Sequence, residues 1–300
     1  MEFIDQASTG KSNFFSYLTG IFVIFGLFLL GNSALFFYLN FQYPNEPIDS
    51  WTQSKISDSL GKTELLFWLT FPFALVFFGL IFHINKVHGR TISSIFTGKE
   101  KFNWKRTFFS FGLVFGILAL SLLVQSLFSL DLKFQFDIKK FLPLLMVSVI
   151  MLSIQTTCEE LIFRSYLLQG LKNRLRSNKA SVLISGIMFG AIHMGNPEIQ
   201  VIGYHILIYY IAVGVFLGLI TLFDNGMELA IGYHAANNIF AAIVVTNDWQ
   251  AFQTDALFLD TSQPGFAWDV LLGIFVVLPF IFYVFSKKYN WQSLKEKWNG

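Results

Sequence analysis

The stretch FFSYLTGIFVIFGLFLLGNSALFFYL, residues 14–39, contains no Asp, Glu, Lys or Arg and is long enough to cross a bilayer as one helix. The residues before it, MEFIDQASTGKSN, are barely basic, and no clear small-residue cleavage site follows. A signal peptide usually has a basic start and a shorter apolar segment. The stretch is therefore predicted to stay in the protein as a transmembrane helix.

The composition of the whole chain agrees with this setting. Hydrophobic residues make up 54% of the 300 residues, charged residues make up 13%, and there are 37 Phe; the mean hydropathy is +0.56. A soluble globule of this size could not cover so much apolar surface. No basic tract suits nucleic acid, and the single cysteine, Cys158, excludes a disulfide framework.

Apolar runs of about 20 residues predict eight transmembrane helices and thus an all-α, polytopic transmembrane helical bundle. The predicted spans lie near residues 14–39, 64–84, 107–130, 141–170, 180–195, 201–223, 227–246 and 268–286.

The Lys and Arg residues between these spans predict the orientation of the chain. Basic clusters fall at 86–106, 172–179 and 287–297, all on the same side, whereas the 247–267 loop carries three Asp and no base. By the positive-inside rule both termini are expected in the cytoplasm. The stretch 85–106 is expected to lie at the membrane surface, with its cations at headgroup level.

Two adjacent carboxylates lie inside one apolar helix, in the segment EELIFR (159–164). Charged side chains are costly there, so each needs a partner or a function. Glu160 and Arg164 are spaced i, i+4 and are predicted to form a buried, structural ion pair. Glu159 points about 100° away around the helix axis, so it should face another helix or a wet cavity. It is the better candidate for chemistry.

Two later apolar helices each bring one histidine to a similar depth. His193 ends FGAIH (189–193), where Gly190 and Ala191 permit close helix approach. His234 begins HAANN (234–238) and shares a helix face with Asn238. Each histidine alone would be a packing residue, but both can reach one cytoplasm-facing cavity together with Glu159.

A carboxylate, two imidazoles and an amide in a cavity of low dielectric suit the hydrolysis of an amide bond. In one mechanism, Glu159 with a histidine takes a proton from water, and His234 and Asn238 donate to the developing oxyanion. In the other, Glu159, His193 and His234 bind a zinc ion whose fourth position holds the attacking water. Both mechanisms fit the residue types.

The segments EELIFR, FGAIH and HAANN, in this order on successive helices, resemble the three motifs of the CPBP family of intramembrane proteases, which includes the CAAX proteases and the Abi proteins. The resemblance covers about residues 141–247 and implies a four-helix catalytic core. It also implies a residue for each role. Water activation would fall to Glu159 and His193, oxyanion stabilisation to His234 and Asn238, and support to Glu160, Arg164 and Phe189.

The activity that the resemblance implies is that of an integral-membrane endopeptidase, of the kind that removes the C-terminal tripeptide of prenylated CaaX proteins. Its expected partners are the bilayer and a membrane-protein, lipidated or peptide substrate. The metal-free mechanism is favoured, with a divalent metal such as zinc as the alternative. The expected location is a bacterial plasma membrane, with the active site open to the cytoplasm.

The chain is predicted to be one membrane domain in three parts: N-terminal helices with a basic loop (1–140), the catalytic core (141–247), and a loop, last helix and tail (248–300). Two other functions compete with proteolysis. A non-catalytic scaffold or bacteriocin-immunity protein could use the polar cluster only to join helices. A transporter ranks lower, because its acids should follow a path rather than cluster at one depth.

Overall fold

A computed structural model describes residues 1–262 and 267–300, and 77% of these described residues are helical. The α-helices of the described residues are α1 (Phe14–Gln42), α2 (Gln53–Leu60), α3 (Lys62–Lys86), α4 (Ile92–Phe96), α5 (Trp104–Phe128), α6 (Ile138–Val147), α7 (Ser153–Glu160), α8 (Leu168–Leu175), α9 (Asn178–Ile192), α10 (Glu198–Ile202), α11 (Leu207–Asp224), α12 (Glu228–Ile243), α13 (Ala267–Leu272), α14 (Leu278–Lys288) and α15 (Leu294–Asn299).

Shorter segments with a different helical pitch join or extend these helices. 3₁₀-helical segments cover Phe3–Thr9, Ile48–Ser50, His193–Gly195 and Tyr204–Ile206, and π-helical turns cover Ser148–Leu152, Leu161–Leu167 and Gly273–Val277. Three strands, β1 (Leu132–Phe134), β2 (Val245–Thr246) and β3 (Phe258–Asp260), form a small sheet in the order β1-β3-β2. β3 pairs antiparallel with β1 and parallel with β2.

The predicted all-α polytopic bundle is confirmed. Among the described residues, six helices are long and apolar enough to cross a membrane: Phe14–Gln42, Lys62–Lys86, Trp104–Phe128, Ile138–Leu175, Tyr204–Asp224 and Val270–Lys288. The predicted spans 180–195 and 227–246 correspond to α9 and α12, of 15 and 16 residues. Helices of that length extend about 22–24 Å, less than a hydrocarbon core of about 30 Å. The count of eight spans therefore stays a prediction.

The short helix α12 lies at the centre of the bundle, packed against α5, α7 and α11. Most of its side chains are buried. It approaches α5 closely at Gly232, where an added Cβ would collide with the carbonyl oxygen of Thr107. Small residues permit this kind of backbone approach between helices in a membrane.

The pair α9 and α11 is also packed backbone to backbone. A Cβ on Gly214 would lie 2.6 Å from the carbonyl oxygen of Gly186, and a Cβ on Gly190 would lie 2.9 Å from the backbone nitrogen of Ile211. The close approach predicted at Gly190 is confirmed. Because α9 ends just before His193, this packing fixes where that histidine enters the bundle.

Two cations of the 85–106 stretch form ion pairs with buried carboxylates at the end of α11 and the start of α12. Lys99 Nζ lies 3.2 Å from Asp224 Oδ2 and 3.1 Å from Glu228 Oε2, and Arg106 pairs with Asp224. Carboxylates buried there need neutralising partners. The loop therefore anchors the helix that carries His234.

Candidate active site

The two adjacent carboxylates lie on the continuous helix Ile138–Leu175, which changes pitch on both sides of them. π-helical turns cover Ser148–Leu152 and Leu161–Leu167, so α7, which carries Glu159 and Glu160, is a short α-helical segment between two wider turns. Such turns are frequent at functional sites because they redirect side chains. They also rotate Arg164 relative to its position in a regular α-helix.

Glu160 and Arg164 form the predicted ion pair, with 3.2 Å between Glu160 Oε2 and Arg164 Nε and no exposure of either side chain. Arg164 Nη2 also donates to the carbonyl oxygen of Gly214 on α11, at 3.3 Å. Its guanidinium lies over the Phe189 ring, 4.7 Å from the centroid, in cation–π contact. One arginine thus joins the carboxylate helix to α9 and α11.

His234 lies between the two carboxylates, an arrangement that the sequence did not predict. Its Nδ1 is 2.9 Å from Glu160 Oε1, and its Nε2 is 3.5 Å from Glu159 Oε2. Carboxylates only accept hydrogen bonds, so the ring satisfies both of them only when each nitrogen carries a hydrogen. Glu159 faces another helix, as predicted from its position on α7.

Gln155 was missed in the sequence, although it connects two of the predicted residues. It is buried one turn before Glu159. Its Nε2 donates to Glu159 Oε1 in a short hydrogen bond, and its Oε1 accepts from Asn238 Nδ2 at 3.1 Å. The signal was present in the i, i+4 spacing of Gln155 and Glu159, which places the amide on the carboxylate's face of the helix.

His193 lies just past the end of α9, as the first residue of a 3₁₀ turn. Its Nδ1 donates to the Phe189 carbonyl oxygen at 2.7 Å, which makes Nε2 the acceptor nitrogen of a neutral ring. The ring stacks on Tyr210, with centroids 4.2 Å apart. Tyr210 is a second residue that the sequence did not reveal.

Phe189 connects the two histidines through its ring. The Phe189 centroid lies 4.9 Å from that of His193 and 5.8 Å from that of His234. The side chain is almost wholly buried. The structure therefore places Phe189 at the centre of the cluster, in contact with Arg164 on one side and with both imidazoles on the others.

The zinc alternative requires three side chains that converge on one point. Among residues 1–262 and 267–300, no group of three His, Cys, Asp or Glu side chains is arranged to hold a metal ion. His234 instead directs both nitrogens at carboxylates. The residues Glu159, His193 and His234 as placed here do not fit a zinc site, so no step of the reaction is derived through a metal.

A buried cluster of carboxylates, imidazoles and amides between short central helices defines a class: a multi-pass helical membrane protein with a polar site inside the bundle. The comparisons with known proteins sharpen this class. Residues 140–240 match the family model described as "Type II CAAX prenyl endopeptidase Rce1-like", so the resemblance predicted from the motifs is confirmed. All the predicted site residues fall within that range.

The chain is also similar to the "Uncharacterized protein YyaK" of Bacillus subtilis (strain 168), with 27% identity over 276 residues. The similarity covers 90% of this chain and 91% of that protein, and so includes the helices outside the Rce1-like region. No solved structure matches the chain.

Proposed function

We propose that the protein is an intramembrane endopeptidase that hydrolyses a peptide bond of a membrane-associated protein or peptide. The observation that carries the proposal is a chain of contacts inside the region that matches the Rce1-like family. Asn238 donates to Gln155, Gln155 donates to Glu159, and His234 Nε2 lies 3.5 Å from Glu159. A buried cluster of this kind is costly to keep in a membrane without a function.

In the proposed reaction Glu159 and His193 activate water. The Glu159 carboxylate is held by Gln155 through one oxygen, which leaves its other oxygen available to a water. His193 presents Nε2 as a lone-pair acceptor. Glu159 and His193 together take a proton from the water as its oxygen attacks the scissile carbonyl carbon. The same pair returns that proton to the leaving amine when the carbon–nitrogen bond breaks.

His234 and Asn238 are proposed to stabilise the oxyanion. An amide nitrogen carries two hydrogens, and the bond to Gln155 uses one of those on Asn238 Nδ2. His234 Nε2 faces Glu159 at a distance too long for a strong hydrogen bond. Both donors can therefore turn toward a new negative charge, and one such donor is typically worth about 10²–10³ in rate.

The substrate is proposed to be a membrane protein or a lipidated peptide that enters from the cytoplasmic side. The positions of the Lys and Arg clusters support cytoplasmic termini and a cytoplasmic opening of the site. The similarity to a Bacillus subtilis protein supports a bacterial plasma membrane.

A non-catalytic scaffold or immunity protein is the second candidate, and one observation favours it. Arg164 joins Glu160, Gly214 and Phe189 on three helices with no solvent exposure, as a purely structural cluster would. A scaffold needs Glu160 and Arg164 but does not need a reactive carboxylate at Glu159. The two functions therefore differ at Glu159.

The test compares peptide termini in membranes of cells that carry the wild-type protein, Glu159→Gln, or the exposed control Glu100→Gln, at equal protein abundance. Proteolysis predicts termini that are present with the wild type and the control, and uncut precursors that accumulate with Glu159→Gln. If Glu159→Gln leaves every terminus in place and complements the phenotype of a deletion, the scaffold function is correct.

A further inference from the structure

A groove of about 530 Å³ runs between α1 and α3, outside the site described above. Its lining is almost entirely apolar and includes Val23, Leu27 and Phe82. Ligand cavities in proteins typically measure about 300–1,000 Å³. Phe22 and Phe82 at its edges are 67% and 65% exposed on the surface of two membrane-spanning helices. The groove therefore opens toward the hydrocarbon of the bilayer.

Two glycines line the groove and differ in the space beside them. Gly26 on α1 and Gly79 on α3 both line it. A Cβ on Gly26 would meet no atom within 4 Å, so the groove is open at that point, whereas a Cβ on Gly79 would run into Leu27. The α1–α3 pair thus packs closely at one glycine and leaves a gap at the other.

One end of the groove is positively charged. Val87 lines that end, and exposed Lys86 precedes it. Exposed Lys11 is hydrogen-bonded to His88, the residue that follows Val87. Lys11 N donates to the His88 carbonyl at 2.8 Å, and His88 Nδ1 donates to the Lys11 carbonyl at 2.6 Å. Residues 11–27 and 79–90, which form the groove and this end, contain no Asp or Glu.

We propose that this groove binds an anionic phospholipid of the bilayer, with one acyl chain between α1 and α3 and the phosphate on Lys11 and Lys86. The apolar lining that opens to hydrocarbon selects an acyl chain. The two lysines lie in segments that contain no Asp or Glu, so they select negative charge in the headgroup, as basic clusters at the ends of transmembrane helices do. The site does not depend on the proposed proteolysis.

The test uses the full-length protein in nanodiscs of equal parts phosphatidylglycerol and phosphatidylcholine, with retained lipid measured by native mass spectrometry. Gly26→Leu fills the groove and should abolish retained lipid. Gly116→Leu is the matched control, because it also meets no atom within 4 Å and also lies twelve residues from the first residue of its helix. It should retain phosphatidylglycerol as the wild type does.

The lysines are tested separately from the groove. Lys11→Gln and Lys86→Gln should each weaken phosphatidylglycerol binding about five-fold, which is the effect of one lysine near a membrane surface. Neither substitution should change the retention of phosphatidylcholine. Equal retention of the two lipids by the wild type would overturn the proposal, as would equal retention by the two leucine variants. Displacement of the lipid by a prenylated peptide would also overturn it, because the groove would then hold a substrate tail.

Discussion

Asn238 donates a hydrogen bond to Gln155, 83 positions earlier in the chain, over 3.1 Å. Gln155 in turn donates to Glu159, so one glutamine holds both the proposed base and a proposed oxyanion donor. An amide suits this position because it offers a donor and an acceptor at once. Neither a carboxylate nor an alkyl side chain at 155 could make both bonds.

Gln155→Leu should therefore lower kcat about 100-fold, the typical loss when a catalytic group is slightly misplaced. KM should change little, because Gln155 lies behind Glu159 and is not proposed to touch the substrate. The measurement is steady-state cleavage of a substrate identified from the comparison of termini.

The control for Gln155 is Thr157→Ala on the same helix, whose hydroxyl donates to the Ser153 carbonyl. It should keep its activity. A Gln155→Leu enzyme with wild-type kcat would show that the glutamine only fills space.

Arg164→Met should lower the free energy of unfolding by about 3–5 kcal/mol, because it leaves the Glu160 carboxylate buried without its partner. Thermal unfolding in detergent measures the loss. The exposed Arg174→Met serves as the matched control and should change little.

The double variant Glu160→Gln/Arg164→Met tests the cause of that loss. Removal of both charges leaves no uncompensated charge, so the double variant should recover much of the stability. If it is less stable than Arg164→Met alone, the hydrogen bonds that Arg164 donates to Gly214 and that Glu160 accepts from His234 outweigh the ion pair.

Gly190→Ala should separate α9 from α11, because its Cβ would come within 2.9 Å of the Ile211 backbone nitrogen. Overpacking of this kind typically costs about 1–3 kcal/mol. His193 follows three residues later, so cleavage should fall together with the unfolding temperature. Gly195→Ala, whose Cβ would meet nothing within 4 Å, should leave both unchanged. Unchanged activity in Gly190→Ala would mean that α9 and α11 accommodate the added methyl group without displacing His193.

The buried imidazole of His88, which lies just past the end of α3, is expected to make the stability of the protein depend on pH. Burial lowers the pKa of His88 below its ordinary value of 6.5, assisted by the charges of His83 and Arg90 and opposed by the hydrogen bond to the Lys11 carbonyl. As the pH falls through about 6.5, the unfolded chain takes up a proton at His88 that the folded protein does not. The unfolded state then binds more protons, so stability is lost with falling pH.

His88→Asn should therefore show a flatter loss of stability than the wild type between about pH 6.5 and 5. Unfolding temperatures measured across that range give the two slopes. Parallel slopes for the wild type and His88→Asn would refute the role of His88.

The candidate site was partly predictable because spacing within one helix fixes which side chains share a face. The rotation of 100° per residue predicted that Glu160 pairs with Arg164 and that Glu159 faces another helix. The two π-helical turns around α7 did not follow, because a pitch change depends on how the helix packs against α3 and α12. These two turns rotate the side-chain faces on either side of α7 relative to their positions in a regular α-helix.

The amino-acid sequence is enough to predict a transmembrane bundle, since apolar runs of membrane length can satisfy their backbone groups in hydrocarbon only as helices or as a closed barrel. It also predicts which side chains are too polar to lie there without partners. The identity of those partners comes from the folded bundle, which places His234 between two carboxylates and Gln155 between Glu159 and Asn238. Contacts between helices far apart in the chain depend on which small residues let backbones approach, and that is a property of the packed bundle.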